Sequence, residues 1–115
     1  MYKHILVPTD GSELSREAAG AAVSLAKESG ARITAFYARQ PYPKNLYDDG
    51  APMGSAKPDK FAKLTEQQAR RNLAFVIDLC KKAGVKGDKI ATISDSPAEA
   101  ILDAASKAGC DLIFM

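Results

Sequence analysis

A length of 115 residues is that of one domain, able to bury roughly two thirds of its unfolded surface and too short to hold a second core. Sixteen Lys and Arg against fourteen Asp and Glu leave a net charge of only +2, dispersed along the chain, so no case arises for nucleic acid binding. No apolar run approaches the roughly twenty residues of a membrane helix, and no membrane partner is expected.

Met1-Tyr2-Lys3-His4 leads straight into the apolar run Ile5-Leu6-Val7. That leaves no room for the apolar region of a signal peptide, and cytoplasmic residence is the expectation. The run lacks polar alternation and reads as a central strand covered on both faces. Pro8-Thr9-Asp10-Gly11-Ser12 breaks it, and Glu13 opens a helical pattern. Leu14, Ala18, Ala21, Ala22 and Leu25 form the expected buried stripe of that helix, with Gly30 as its stop. Residues Ala31 to Ala38, rich in β-branched and aromatic side chains, predict a second strand. Between Gln40 and Pro58 four prolines, two glycines and Asp48-Asp49 make an irregular stretch of about twenty residues, a length that suggests a mobile flap or, as the alternative, a disordered segment.

From about Asp59 to Ala83 the positions Ala69, Leu73, Val76, Ile77 and Cys80 predict the longest helix, followed by Gly84. Lys89 to Ser94 reads as the third strand. Ser96-Pro97-Ala98-Glu99 then combines an N-cap serine, a proline at the first helical position and a capping-box glutamate. Ile101, Ala104, Ala105 and Ala108 carry the buried stripe of this helix, Gly109 ends it, and Asp111 to Met115 predicts a fourth strand. The order βαβαβαβ implies parallel pairing through right-handed crossovers: an open α/β sheet with helices on both faces.

Ligands of such sheets bind outside the carboxyl ends of the strands, where Pro8, Thr9 and Asp10 lie. A carboxylate there can accept hydrogen bonds from ribose hydroxyls or an adenine amino group, and Thr9 offers backbone groups and a hydroxyl. Asp10 and Glu13 also have capping-box spacing, with Ser12 as an alternative cap, and spacing alone favours the cap. Cys80 and Cys110 lack metal or redox spacing and read as reduced packing residues. His4, the single histidine, has no ligand cluster around it, so neither a zinc site nor other metal centre is expected. Gly50-Ala51-Pro52-Met53-Gly54-Ser55 lacks the lysine and the strand-helix setting of a phosphate cradle.

Over its whole length the chain resembles the universal stress protein family. The resemblance is carried by Tyr2-Lys3-His4-Ile5-Leu6-Val7-Pro8-Thr9-Asp10-Gly11-Ser12-Glu13, by the turn Ser94-Asp95-Ser96-Pro97-Ala98-Glu99-Ala100-Ile101, and by Cys110-Asp111-Leu112-Ile113-Phe114-Met115. It implies a Rossmann-like, adenine nucleotide alpha hydrolase-like sheet of order 3-2-1-4-5 with ATP or AMP at the tips of strands 1, 2 and 4. Pro8, Thr9 and Asp10 would match the adenine and ribose contacts, Ala38 a position near the base, and Met115 the residue just before the phosphate loop. The resemblance raises the weight of Asp10 as a ligand contact. It further implies a non-enzymatic stress-response protein that assembles as a homodimer.

The family's phosphate motif, G-x2-G-x9-G-[ST], does not occur within these 115 residues, nor does a fifth strand follow. The expectation is therefore a sheet of order 3-2-1-4 in a single, incomplete domain over residues 1–115, with weak or absent ATP binding and strand 4 as an exposed edge prone to self-association. An alternative is a nucleotide-independent interaction or chaperone-like module. An efficient hydrolase lacks a base or metal site to position water, and a phosphoacceptor at Asp95 lacks the acidic cluster it would need.

Overall fold

The computed structural model describes residues 2–39 and 58–115. The flap expected between Gln40 and Pro58 lies outside the described residues, apart from Pro58, which opens a helix. In chain order the elements are β1 (His4–Pro8), α1 (Glu13–Ser29), β2 (Arg32–Arg39), α2 (Pro58–Ala83), β3 (Gly87–Ile93), α3 (Pro97–Ala108) and β4 (Leu112–Ile113). All pairs are parallel, and the sheet runs β3-β2-β1-β4. The expected order and the central place of β1 are both observed.

Register explains why β1 is apolar throughout. Ile5 pairs with Ile33 and Leu112, Leu6 with Thr34 and Ile113, so β1 is walled in by strands and capped by helices above and below. Ile5, Leu6 and Val7 are all fully buried. Alternate residues feed two separate cores. On one face Ile5, Val7, Ile33 and Ala35 pack with Ala19, Ala22, Val23 and Ala26 of α1 and Leu73, Val76 and Cys80 of α2. On the other, Leu6 and Phe36 pack against Ala104 and Ala105 of α3.

Local readings needed correction in four places. Helix α1 buries Ala19, Ala22, Val23 and Ala26, a stripe turned from the expected one, and Leu14 is 78% exposed. Alanines at 18, 19, 21, 22 and 26 make several helical stripes equally apolar, so periodicity could not choose among them. Strand β3 starts two residues earlier than expected, at Gly87, because that glycine sits under α2: an added Cβ would lie 3.1 Å from Cys80 Sγ and 3.3 Å from Ile77 Cδ1. Glycine has little strand propensity, and the packing overrides it.

The third concerns the start of α3. Its boundary is where the sequence places it, but Ser96 makes no side-chain cap bond. The Ser96 N–H, which a capping-box glutamate would take, instead donates to Ser94 Oγ at 3.0 Å. The fourth is β4, expected over five residues and extended over two. Backbone bonds continue past both its ends, from Asp111 N–H to His4 O and from Phe114 N–H to Leu6 O, each 2.9 Å. Both cysteines are free thiols, and burial raises the pKa of each, as befits packing residues.

Candidate functional site

The segment after β1 is organised by hydrogen bonds local to it. Thr9 N–H donates to Phe36 O at 2.9 Å, extending the β1–β2 pairing by one residue and fixing the tip of the strand. Its hydroxyl accepts from Gly11 N–H at 3.3 Å and lies 3.2 Å from Ser15 Oγ. The backbone N–H and the hydroxyl expected to be offered to a ligand are therefore committed within the protein. Among the described residues no backbone N–H outside the regular elements donates to Thr9's carbonyl.

Asp10 does not cap α1. Ser12 is the N-cap, its Oγ accepting from Ser15 N–H at 3.2 Å, while Asp10 Oδ1 accepts from Ser12 N–H at 2.9 Å. The carboxylate thus closes a tight Asx turn one step before the helix. Hydrogen bonding from Ser12, its hydroxyl first and then its backbone N–H, holds the Asp10 pKa below the ordinary carboxylate value. An exposed carboxylate held in its ionised form this way is suited to receiving hydroxyl or amino hydrogens and poorly suited to taking a proton.

Beside this turn the carboxyl ends of the strands frame a cavity of about 710 Å3. All five positions singled out from the sequence line it: Pro8, Thr9 and Asp10 from the tip of β1, Ala38 near the end of β2, and Met115 after β4. They are separated by up to the whole length of the chain, and the β2-β1-β4 adjacency is what brings them together. Pro8, Phe36, Ala38, Ile101 and Met115 give the cavity apolar surface, and among the described residues Asp10 supplies the single side-chain carboxylate of the lining. The size and the mixture of apolar wall with a few polar groups are those of a small-molecule site.

Sequence reasoning missed the contribution of α2. Phe61, Thr65 and Gln68 line the cavity, at the i, i+4, i+7 spacing of one helix face. Stepping the α2 core stripe back from Ala69 in fours would have found Thr65 and Phe61, whereas Gln68 lies off that stripe. Arg39 holds this part of α2 in place, donating from Nη2 to Ala62 O and Thr65 Oγ1, each at 3.0 Å. Gly11 allows α2 to approach from the other side, because an added Cβ would sit 2.7 Å from Asn72 Oδ1. Among the described residues no group of three His, Cys, Asp or Glu side chains is placed to hold a metal ion.

The sequence profile of the universal stress protein family matches residues 1–115. A universal stress protein of Methanocaldococcus jannaschii is 32% identical over all of this chain, which spans 64% of that protein's length. One from Thermus aquaticus is 31% identical, and the chain spans 77% of it. Among solved structures, a universal stress protein family member from Burkholderia pseudomallei superposes with a TM-score of 0.79 at 26% identity, covering 97% of this chain and 79% of that one. The universal stress protein of Archaeoglobus fulgidus in complex with dAMP gives a TM-score of 0.66 at 18% identity, over 97% and 78% of the two chains. A family protein of Arabidopsis thaliana with AMP bound gives 0.68 at 13% identity, over 98% and 76%. The last two likenesses are of fold.

Proposed function

Because the chain belongs to the universal stress protein family, we propose that the cavity at the carboxyl ends of β1, β2 and β4 binds the nucleoside part of an adenine nucleotide, ATP or AMP. One observation carries this reading: Pro8, Thr9, Asp10, Ala38 and Met115 converge on a single cavity large enough for a nucleoside. The nucleotides bound in the Archaeoglobus and Arabidopsis proteins support the choice of adenine.

In this reading the base lies against Pro8, Phe36 and Ala38, where small and flat side chains leave room for a ring. The ionised Asp10 accepts from ribose hydroxyls, and the carbonyl of Thr9 accepts from the adenine amino group. The protein acts by binding and reporting the nucleotide rather than by turning it over, since the depressed pKa of Asp10 makes it an acceptor and not a general base near neutral pH. Cytoplasmic residence and a homodimer belong to the same proposal.

The test is calorimetry of ATP, AMP and adenosine against the protein and Asp10→Ala. A hydrogen bond to a charged group is worth roughly 1.5–3 kcal/mol, so the variant should bind each ligand about tenfold or more weakly. The loss should be the same for all three, because the contact is to the nucleoside. Unchanged adenosine affinity in Asp10→Ala would sink the assignment of Asp10, and a loss seen with ATP only would move it to the phosphates.

A further inference from the structure

At the end of the sheet away from the nucleotide cavity, the chain enters β1 and β2 beside the last turns of α1 and α2. A shallow depression of about 490 Å3 lies there, lined by Lys3, Lys27, Arg32 and Lys86 together with Gly30 and Gly84. All four cations are exposed. The ion pairs among the described residues, Arg70 with Glu66 and Lys107 with Asp103, involve none of them. Among the described residues no carboxylate lines the depression. The neighbouring Asp111 accepts from the backbone N–H groups of Lys3 at 2.9 Å and His4 at 3.0 Å.

Cations near helix C-termini ordinarily offset the negative end of the helix dipole, so the depression must hold more charge than that task uses. Each helix end amounts to roughly half a negative charge. Lys81 and Lys82, in the last turn of α2, already answer that helix. Arg32 shares strand parity with Thr34 and Phe36, so its side chain lies on the α3 face of the sheet near His4, Asp88 and Asp111; the unit charges of Lys3, Lys27 and Lys86 against two half charges leave the depression positive.

Its chemistry is not purely cationic. Gly30 and Ala31 both direct their N–H groups to Ala26 O, Gly84 donates to Lys81 O, and Val85 to Cys80 O. The carbonyls of Lys27, Glu28 and Ser29, and those of Lys82 and Ala83, therefore receive no backbone donor from the turns that follow their helices. Of these residues Lys27 and Ala83 line the depression, which therefore places cations beside two unused acceptors. Nothing lies within 4 Å of where a Cβ would stand on Gly30 or Gly84, so its rim is open to an incoming chain.

We propose that this depression docks an acidic peptide segment of a protein partner. Carboxylates of the segment answer Lys3, Lys27 and Lys86, and its backbone N–H groups answer the free helix-end carbonyls of Lys27 and Ala83. A polyphosphate brings acceptors only, matches the cations and leaves the carbonyls unanswered. The surface is remote from Asp10 and the cavity, so binding there is independent of the nucleotide assignment.

Fluorescein-labelled octaglutamate is the probe, titrated by anisotropy at low salt where screening is weak. Lys27→Glu with Lys86→Glu should weaken its binding about tenfold or more. Lys60→Glu with Lys63→Glu makes the same change in net charge at the other end of α2 and should alter affinity by less than about twofold. The milder pair Lys27→Gln with Lys86→Gln, with an unchanged melting temperature, should give an intermediate loss and separates docking from misfolding. Zero-length carbodiimide coupling, mapped by mass spectrometry, should join the probe to Lys3, Lys27 and Lys86. Equal losses in the two glutamate pairs, no binding at low salt, or coupling spread over all lysines would overturn the site. Displacement by ATP would place the probe in the nucleotide cavity, and tighter binding of tripolyphosphate at the same lysines would make the depression a phosphate site; either result refutes the proposal.

Discussion

Gly11 stands at the tip of β1 with φ at 83° and the Asn72 side chain against it, so two different penalties meet any substitution. A Cβ in the left-handed region costs roughly 1–2 kcal/mol, and at 2.7 Å from Asn72 Oδ1 it forces that side chain aside. Gly11→Ala should therefore lower the unfolding free energy by about 2 kcal/mol or more in urea titration. Adding Asn72→Ala should recover the steric part and leave the backbone part; full recovery would show that the conformation of residue 11 is not the constraint. His4 is a second residue with a measurable consequence. It is buried, its Nε2 lies 2.6 Å from Thr34 Oγ1, and its Nδ1 has no partner. Burial first, and then the Arg32 charge, lower its pKa from 6.5, against smaller opposing effects of Asp88 and Asp111. The folded protein thus binds a proton at His4 less readily than the unfolded chain does. Stability is complete above pH 6.5 and falls as pH drops below it. Urea midpoints measured down to about one pH unit below that value should decline, and His4→Gln should flatten the slope; an unchanged slope in the variant would assign the decline to other groups.

At the scale of elements, the start of α3 separates the residue in the N-cap position, Ser96, from the one whose hydroxyl makes the hydrogen bonds there, Ser94. Ser94 Oγ accepts from Ser96 N–H and donates to Ser96 O at 3.2 Å, whereas Ser96 Oγ makes no cap bond. Ser94→Ala should destabilise the protein by about 1 kcal/mol, and Ser96→Ala by a few tenths at most. The reverse order in chemical denaturation would restore the capping box read from the sequence. Helix α1 teaches a related lesson. Its small residues let it settle closely on Ile5 and Val7, and the rotation chosen for that contact leaves Leu14 at the mouth of the cavity rather than in the core.

In the molecule as a whole, the nucleotide cavity and the second core share a side chain. Phe36 is 1% exposed, packs with Leu6, Ala104 and Ala105, and also lines the cavity. Val76 is equally buried but belongs to the core on the opposite face. Phe36→Ala should cost about 3–5 kcal/mol, a large share of a domain stability of roughly 5–15 kcal/mol, and should abolish the rise in melting temperature given by AMP. Val76→Ala should lower the melting temperature yet preserve the rise. If both variants keep the full AMP effect, the ligand does not sit on Phe36.

How much of this was legible beforehand follows from how far each property reaches along the chain. The order of elements, the helix stops at Gly30, Gly84 and Gly109, the burial of β1 and the α2 stripe from Ala69 to Cys80 rest on interactions between near neighbours or on simple period, and the sequence by itself determined them. The strand order and the five residues of the cavity were also legible, through the family resemblance rather than through periodicity. Tertiary structure decided the rest. Which alanine stripe of α1 faces the sheet depends on what it packs against, and Gly87 joins β3 because α2 leaves no room above it for a side chain. Phe61, Thr65 and Gln68 reach the cavity because Arg39 ties α2 to β2. Lys3, Lys27 and Lys86, from three segments, rim one depression because parallel crossovers return both helix ends to the same edge of the sheet. Each of these is a contact between residues far apart in the chain, and no local pattern encodes a partner that only folding supplies.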